Sequence, residues 1–181
     1  MKLFIVGYMA GGKTTFGKAL AEELHYPFID LDEYIENNQG KNISQLFADA
    51  GESEFRRIEK DALHEVAAID GNLIVACGGG TPCYFDNIDF INQNGISLFL
   101  EASTPVLVER LQASNASRPI MAGKTDDEIR EKVLTQLRDR LPYYLEAKLK
   151  WSGDELNSPQ EVKENVKSFI SEFPSLFRID S

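Results

Sequence analysis

Cysteine and histidine are scarce in this chain of 181 residues, which contains two of each. The two thiols, Cys77 and Cys83, are too few for a disulfide framework. His25 and His64 lie apart from them in the sequence, so no set of these residues has the spacing of a zinc site. The scarcity argues against the disulfide-rich secreted class, and we do not expect a structural metal site.

Long hydrophobic runs are also missing. No apolar stretch approaches the roughly 18 residues that a membrane-spanning helix needs. The apolar residues 3–6 fall short of the core of a secretory signal, which takes about seven residues or more. We therefore expect a cytoplasmic protein with no membrane partner.

The chain lacks an excess of positive charge. It contains 19 Lys and Arg against 29 Asp and Glu, which gives a formal net charge of −10. Proteins that bind nucleic acid normally carry the opposite imbalance, so nucleic acid is not an expected partner. An anionic small substrate would have to meet a local cluster of basic side chains, and no arginine precedes Arg56.

What the chain does contain is an alternation of short apolar runs and amphipathic segments, typical of a single α/β domain over residues 1–181. Buried strands are predicted at residues 3–6, 28–31, 73–77 and 96–100, with a weaker candidate at 149–151. Helices are predicted at residues 13–24, 43–50, 52–68 and 105–113. Helices that connect successive strands imply a parallel sheet.

The sequence also predicts two further helix starts and one long loop. Thr125 with Glu128, and Ser158 with Glu161, have the spacing of a capping box. Residues 114–124, SNASRPIMAGK, lack helical periodicity and predict an exposed loop. We interpret residues 113–124 as a lid, because long loops of this kind often close over ligands.

The strongest motif is GYMAGGKT at residues 7–14, which matches G-x-x-x-x-G-K-[ST] between an apolar strand and an amphipathic helix. Its glycines let backbone N–H groups surround phosphate oxygens, Lys13 reaches the terminal phosphates, and the Thr14 hydroxyl can ligate Mg²⁺. The motif predicts a nucleoside triphosphate site rather than an unliganded glycine-rich turn. It does not separate kinases from ATPases, GTPases or switch proteins.

Two carboxylates lie at the end of the second predicted strand. Strand alternation would point Asp30 and Asp32 to the same side, where they could serve a metal and a substrate hydroxyl. The alternative is that Asp32 or Glu33 only caps the following helix.

Three glycines, Gly78, Gly79 and Gly80, follow the third predicted strand, where a generic P-loop ATPase has its metal-binding Asp. Glycines at this edge of a sheet let a ligand approach backbone N–H groups closely. A plain tight turn is the alternative.

Taken together, the motifs resemble those of shikimate kinases. The phosphate loop is followed, in that family's order, by FIDLDEYIE, GESEFRRIE, the triple glycine, SRPIM and RDRLPYY, so the resemblance covers residues 2–149. It implies a P-loop kinase fold, with a five-stranded parallel sheet in the order 2-3-1-4-5, flanking helices and a lid. It also implies Mg²⁺-dependent transfer of the γ-phosphoryl of ATP to the 3-hydroxyl of shikimate, a step toward chorismate and the aromatic amino acids. Family enzymes are often monomers, so a monomer is expected.

The resemblance also implies roles for individual residues. Asp32 would hold and activate the shikimate hydroxyls, while Lys13 and the lid residue Arg118 would act on the transferring phosphates. Arg56 and Arg140 would clamp the shikimate carboxylate, and Thr14 with Asp30 would serve the magnesium. The implied ATP-binding residues are Ala10, Gly11, Gly12, Lys13, Thr14, Thr15, Arg110 and Arg118. The other implied residues are Gly78, Gly79 and Gly80 at the substrate, with Phe47, Phe55 and Glu59 behind them and Glu59 orienting Arg56.

The arginines are also supported by their chemistry. A guanidinium presents a planar fork that donates two parallel hydrogen bonds to a carboxylate, which an ammonium cannot do. In the predicted helix 52–68, Phe55 and Glu59 lie one turn apart beside Arg56. For any single arginine, a surface ion pair is the alternative.

The chain departs from the family at residues 150–157. Family members commonly carry a strand resembling V-D-T before the residues that contact adenine, whereas this chain has KWSGDELN. Trp151 would pack either under the base or in the core, and Asn157 is the nearest positional match to an adenine contact.

Two other functions fit part of this pattern. One is another small-metabolite kinase, such as a gluconate kinase or a nucleoside monophosphate kinase; the other is a switch protein that holds ATP without phosphorylating anything. The pair of arginines and the triple glycine favour shikimate. The paired aspartates and Arg118 favour a chemical reaction over a switch.

Overall fold

Five parallel strands form the centre of the computed structural model, which describes residues 1–113 and 125–177. The strands are β1 (Lys2–Val6), β2 (Phe28–Asp30), β3 (Leu73–Ala76), β4 (Ile96–Glu101) and β5 (Leu149–Ser152). They lie in the order β2-β3-β1-β4-β5, and each neighbouring pair is parallel. The predicted sheet and its strand order are confirmed, and each predicted strand ends within one residue of the observed one.

Helices cover both faces of this sheet. They are α1 (Lys13–Leu24), α2 (Leu31–Gln39), α3 (Ile43–Ala68), α4 (Asn87–Asn94), α5 (Thr104–Ala113), α6 (Asp126–Tyr144) and α7 (Pro159–Glu172). The two helices predicted at 43–50 and 52–68 are one element with a kink at Gly51, whose φ of 79° and ψ of 171° interrupt the helix. Glycine tolerates a positive φ without a steric penalty, so the kink falls where the sequence allows it. The sequence analysis did not identify α4.

The two faces of the sheet are buried in separate apolar clusters, because successive strand residues point to opposite sides. Phe4 and Val6 of β1 pack with residues of α3, α5 and α6. Leu3 and Ile5 pack on the other face with residues of α1 and α7. Packing on both faces therefore makes the sheet rigid, and the sheet fixes the positions of its strand ends and of the loops that follow them.

The predicted helix starts show two patterns of capping. At α6 the box is complete, because the Glu128 amide donates to Thr125 Oγ1 over 3.3 Å and the Thr125 amide donates to Glu128 Oε2 over 2.7 Å. At α7 Ser158 accepts from the Glu161 amide, but the Glu161 carboxylate accepts from the amide of Asn157 instead of Ser158. The second predicted box is therefore half formed.

Aromatic side chains join the end of the chain to the sheet. The ring of Trp151 lies edge-on to Phe169 and Phe173, and its Nε1 donates to Asn165 Oδ1 over 2.7 Å. Phe177 packs on Phe169 as well. Trp151 is thus a packing residue, the second of the two alternatives left open above, and the segment after α7 packs against the core as far as residue 177.

None of the helices in the two described ranges is long and apolar enough to cross a lipid bilayer.

Candidate active site

The carboxyl ends of β1, β2 and β3 lie side by side at one edge of the sheet, where open α/β sheets bind their ligands. The phosphate loop follows β1, Asp30 ends β2, and the three glycines follow β3. The topology therefore brings together three motifs that are far apart in the sequence.

Lys13 lies inside the arc of the phosphate loop. Its Nζ donates to the carbonyl oxygens of Gly7 and Tyr8 over 2.9 Å each, and the residue is only 8% exposed. Gly7 has a φ of 144°, and a Cβ there would lie 2.6 Å from the Leu100 carbonyl oxygen, so the loop needs glycine at this position. The ammonium group is therefore held in place before any phosphate arrives.

The first turn of α1 has an uncapped N-terminus. Its N-cap residue is Gly12, which has a φ of 92° and no side chain that could accept from the helix N–H groups. By contrast, side chains cap α2, α3, α6 and α7. Free N–H groups at a helix start, with the positive end of its dipole, form a site for an anion such as phosphate.

Thr14 and Asp30 are in direct contact. The Thr14 hydroxyl donates to Asp30 Oδ2 over 2.6 Å, while Asp30 Oδ1 accepts from the amides of Asp32 and Glu33. Asp30 is therefore the N-cap of α2, and the alternative in which Asp32 or Glu33 is the cap is wrong. A hydroxyl beside a carboxylate is an oxygen donor set that suits Mg²⁺, which binds few protein oxygens and keeps several waters.

Asp32 lies in the first turn of α2, not on a strand. Strand alternation is therefore the wrong reason for its position, because the Asp30 cap starts the helix at Leu31. Both carboxylates nevertheless line the same cavity beside the phosphate loop, as predicted. Burial, followed by the nearby carboxylates of Asp30 and Glu59, raises the pKa of Asp32 to about 6, although Lys13 acts to lower it. A carboxylate with a pKa near neutrality is suited to accept a proton from a substrate.

Two cavities open beside Asp32. The phosphate-loop cavity, of about 550 Å³, is lined by the loop, Asp30, Arg110 and Asn157. The arginine cavity, of about 350 Å³, is lined by Arg56, Arg140 and aromatic side chains. Among the described residues, four line both cavities, namely Met9, Asp32, Gly78 and Gly79. Asp32 is the carboxylate that faces the two cavities at once.

Arg56 is buried and held by carboxylates. Its Nη1 donates to Glu59 Oε2 over 2.7 Å, and Glu59 Oε1 accepts from the Thr81 hydroxyl over 2.6 Å. Burial acts to lower the pKa of Arg56, but Glu59 and other anionic groups outweigh this and raise it. Its buried Nε finds no acceptor within the two described ranges. The contact predicted between Glu59 and Arg56 is present.

The three glycines make room for charged side chains. A Cβ on Gly80 would lie 2.6 Å from both Nη atoms of Arg56, and one on Gly78 would lie 2.7 Å from Glu59 Oε1. A Cβ on Gly79 would lie 3.4 Å from Arg140 Nη1. The segment is therefore more than a tight turn, because its bare backbone lets both guanidinium groups and the Glu59 carboxylate approach.

Helix α6 is tied to both ligand loops by two tyrosines that sequence reasoning missed. The Tyr8 hydroxyl donates to Gln136 Oε1 over 2.6 Å, and the Tyr144 hydroxyl donates to the Gly79 carbonyl over 2.5 Å. Burial raises the pKa of Tyr8 to about 12 and also raises that of Tyr144, while Arg140 acts in the opposite direction at both. Arg140 is thereby placed between fixed neighbours. Both tyrosines stand within quoted motifs, GYMAGGKT and RDRLPYY, but neither motif predicts these contacts.

Arg110 and Asn157 form one end of the phosphate-loop cavity. Arg110 Nη2 donates to the Asp154 carbonyl over 2.8 Å and to Asn157 Oδ1 over 3.1 Å, while Nη1 lies 3.5 Å from the Ala10 carbonyl. Burial lowers the pKa of Arg110. Arg110, implied as an ATP-binding residue, and Asn157, the positional match to an adenine contact, are therefore neighbours beside the loop.

The remaining predicted residues divide into two groups. Ala10, Gly12 and Thr15 line the phosphate-loop cavity, and the Gly11 amide donates to the Tyr8 carbonyl within the loop. Arg118 and the predicted lid beyond Ala113 lie outside the described residues. The structure thus brings the predicted residues that it describes to one edge of the sheet.

Cys83 lies beside the arginine cavity. It is half-buried, and burial raises the pKa of its thiol to about 11, although Arg140 and Arg56 both act to lower it. The thiol is therefore protonated at neutral pH and packs against the core.

The parallel sheet, the phosphate loop and the arginine-lined cavity beside it define a small P-loop kinase. Comparison with known proteins then places the chain within that class. The family model of shikimate kinase matches residues 9–171, and the chain belongs to the shikimate kinase family.

Individual relatives agree with this assignment. A shikimate kinase of Bacteroides fragilis is 42% identical over 167 residues, which cover 92% of this chain and 93% of that protein. The crystal structure of the shikimate kinase from Bacteroides thetaiotaomicron has a TM-score of 0.93 at 40% identity and covers 96% of this chain and 98% of that one. A shikimate kinase from Acinetobacter baumannii, solved in complex with shikimate, has a TM-score of 0.83 at 27% identity, with 97% and 93% covered.

Proposed function

We infer that this chain is a shikimate kinase, which transfers the γ-phosphoryl group of ATP to the 3-hydroxyl of shikimate. The observation that carries this inference is the position of Asp32 between the phosphate-loop cavity and the arginine cavity. A hydroxyl donor seated in the second cavity would meet the terminal phosphate of a nucleotide in the first.

The arginine cavity has the chemistry of a site for a small carboxylate. Arg56 and Arg140 both line it. Phe47 and Phe55 form an aromatic wall whose ring centroids lie 4.3 Å apart. A carboxylate on a compact apolar ring, as in shikimate, offers an acceptor for the arginines and an apolar face for the wall.

The chemical step then follows from the charges beside the phosphate loop. The substrate oxygen attacks the γ-phosphorus, the bond to the bridging oxygen breaks, and ADP leaves with the electron pair. Asp32 orients the hydroxyl and accepts its proton as the new bond forms. Lys13 stabilises negative charge on the phosphates, together with the N–H groups at the start of α1.

Mg²⁺ would be held near Thr14 and Asp30, whose oxygens are 2.6 Å apart. When bound with ATP, it would neutralise charge on the β- and γ-phosphates. Asp30 is fixed by its capping bonds to α2, so its other oxygen, which accepts from Thr14, is held in one direction.

Further proposals concern the chain as a whole. We propose that it acts as a monomeric, cytoplasmic, single-domain enzyme, with residues 113–124 as its lid and Arg118 on the transferring phosphates. Arg118→Ala should then lower turnover, which a rate assay measures. The affinity for shikimate in the absence of ATP should be nearly unchanged, and calorimetry measures it.

The direct test is ADP release by the purified chain with Mg²⁺ and ATP, in the presence of shikimate, gluconate or a nucleoside monophosphate. We expect turnover that depends on shikimate and is far slower with the other two acceptors. Comparable turnover of either would overturn the substrate assignment, and a switch protein would show no dependence on shikimate.

A further inference from the structure

Arg56 contacts two carboxylates that differ in their surroundings. Glu59, whose side chain is 1% exposed, binds Nη1 over 2.7 Å. Glu52, whose side chain is 57% exposed, lies 3.4 Å from Nη2 and lines the arginine cavity. Glu59 is therefore a fixed partner, whereas Glu52 is a longer, solvent-facing contact that can leave.

Tyr84 holds Glu52 in this position. Its hydroxyl donates to Glu52 Oε1 over 2.9 Å, the same oxygen that faces Arg56 Nη2. Its ring also lies under the guanidinium, with the Arg56 Cζ 4.4 Å from the ring centroid. One residue thus supports both the arginine and the carboxylate that lies against it.

The backbone after Tyr84 is strained. Phe85 and Asp86 are consecutive residues with positive φ, 51° and 55°, although neither is glycine. Non-glycine residues rarely adopt this region, because their Cβ comes too close to the following carbonyl oxygen, and such strain is concentrated at functional sites. The two strained residues therefore directly follow Tyr84, the residue that packs against Arg56.

We propose that Glu52, held by Tyr84, is an internal carboxylate that occupies the outer edge of Arg56 in the empty site and is displaced when the substrate carboxylate binds. It lowers the affinity for substrate in two ways, because its contact with Arg56 must break and its charge repels the incoming anion. This inference rests on the proposed function, since it takes the substrate to be a carboxylate seated on Arg56.

The test is calorimetric titration of Glu52→Gln with shikimate alone. We expect its Kd to fall about threefold to tenfold below that of the unchanged chain, because an exposed ion pair and one repulsive charge have modest energies. Tyr84→Phe keeps the ring under Arg56 and removes the hydroxyl that holds Glu52, so its Kd should fall by about twofold.

Glu54→Gln is the matched control, because Glu54 pairs with the exposed Arg57 one residue beyond Arg56 and does not line the cavity. Its Kd should equal that of the unchanged chain. A Glu52→Gln variant that binds an ATP analogue normally but binds shikimate equally or more weakly would overturn the inference and would make Glu52 a supporting residue. An unchanged chain that neither binds nor phosphorylates shikimate would overturn both this inference and the proposed function.

Discussion

The two cavities are built in different ways. The phosphate-loop cavity takes its anion-binding groups from the backbone and side chains of contiguous residues, 7–15, on a single strand-to-helix connection. The arginine cavity takes side chains from α3, α6 and the glycine segment after β3. A backbone site is encoded by glycines at fixed spacing, whereas a side-chain site depends on packing between distant elements. The first is therefore readable as a local motif, whereas the residues of the second were supplied by the family resemblance and come together only in the fold.

Substitution of Asp32, which lines both cavities, should give the largest difference between loss of turnover and loss of nucleotide binding. Asp32→Asn keeps the shape of both cavities and removes the negative charge that accepts the proton. We expect turnover with shikimate to fall by about 10² to 10⁴, the usual contribution of a general base, while binding of an ATP analogue persists. Rate assays and nucleotide titration measure the two effects, and near-normal turnover would remove Asp32 from the chemistry.

The glycine segment tests whether the arginine cavity depends on bare backbone. Gly80 has an ordinary φ of −96°, so Gly80→Ala strains no backbone but drives a Cβ to within 2.6 Å of the Arg56 guanidinium. Displacing the Arg56 guanidinium should weaken shikimate binding by about 2 kcal/mol, which is a roughly 30-fold rise in Kd. Arg56→Lys and Arg140→Lys should raise the Kd by a similar factor. ATP binding should be unaffected, and normal shikimate binding by Gly80→Ala would contradict the role given to this glycine.

The charge of Asp32, the residue shared by the two cavities, should also affect the free energy of unfolding. Its folded-state pKa of about 6 lies above the usual 3.8, so the folded protein favours the protonated form. Ionised Asp32 therefore destabilises the fold, fully so above about pH 6, and the effect decreases as the pH falls toward 3.8, below which the group is protonated in both states. Asp32→Asn should raise the free energy of unfolding by roughly 1 to 3 kcal/mol at pH 8. Urea unfolding at pH 4 and pH 8 checks this, and equal differences at both values would rule out the buried charge as the cause.

Substitution of Asp30, which lines the phosphate-loop cavity but not the arginine cavity, tests the first cavity alone. Asp30→Asn removes the charge beside Thr14 and retains an amide oxygen that can still cap α2. The Mg²⁺ concentration for half-maximal activity should rise about tenfold, in the range expected for residues that orient a metal's ligands. Shikimate titration without metal serves as the control and should be unchanged. An unaltered Mg²⁺ requirement would show that Asp30 only caps the helix.

Tyr144 gives the smallest expected effect and tests the link from α6 to the glycine segment. Tyr144→Phe keeps the ring packed on Phe99 and leaves the Gly79 carbonyl without its hydroxyl donor. We expect a loss of about 1 kcal/mol in unfolding free energy and a severalfold rise in the KM for shikimate. Tyr143→Phe, at an exposed neighbouring position, should change neither quantity.

The sheet could be predicted from the sequence because its strands are short apolar runs separated by helical segments, and the phosphate loop because its glycines and lysine are contiguous. The placement of Asp32 could not, because the Asp30 cap that starts α2 early competes with strand alternation. The roles of Tyr8 and Tyr144 lie in contacts across many residues, which leave no local pattern. The family resemblance supplied the arginine pair, but not the reason why the glycines beside it must lack side chains.

The central claim is that a substrate carboxylate on Arg56 and Arg140 faces a nucleotide across Asp32. The most direct measurement compares ADP release with shikimate and with its methyl ester, in the unchanged chain and in Arg140→Lys. The unchanged chain should use the ester at least about 30-fold less efficiently, and this difference should shrink in the variant because the fork that reads the carboxylate is lost. Equal use of shikimate and its ester by the unchanged chain would contradict the account.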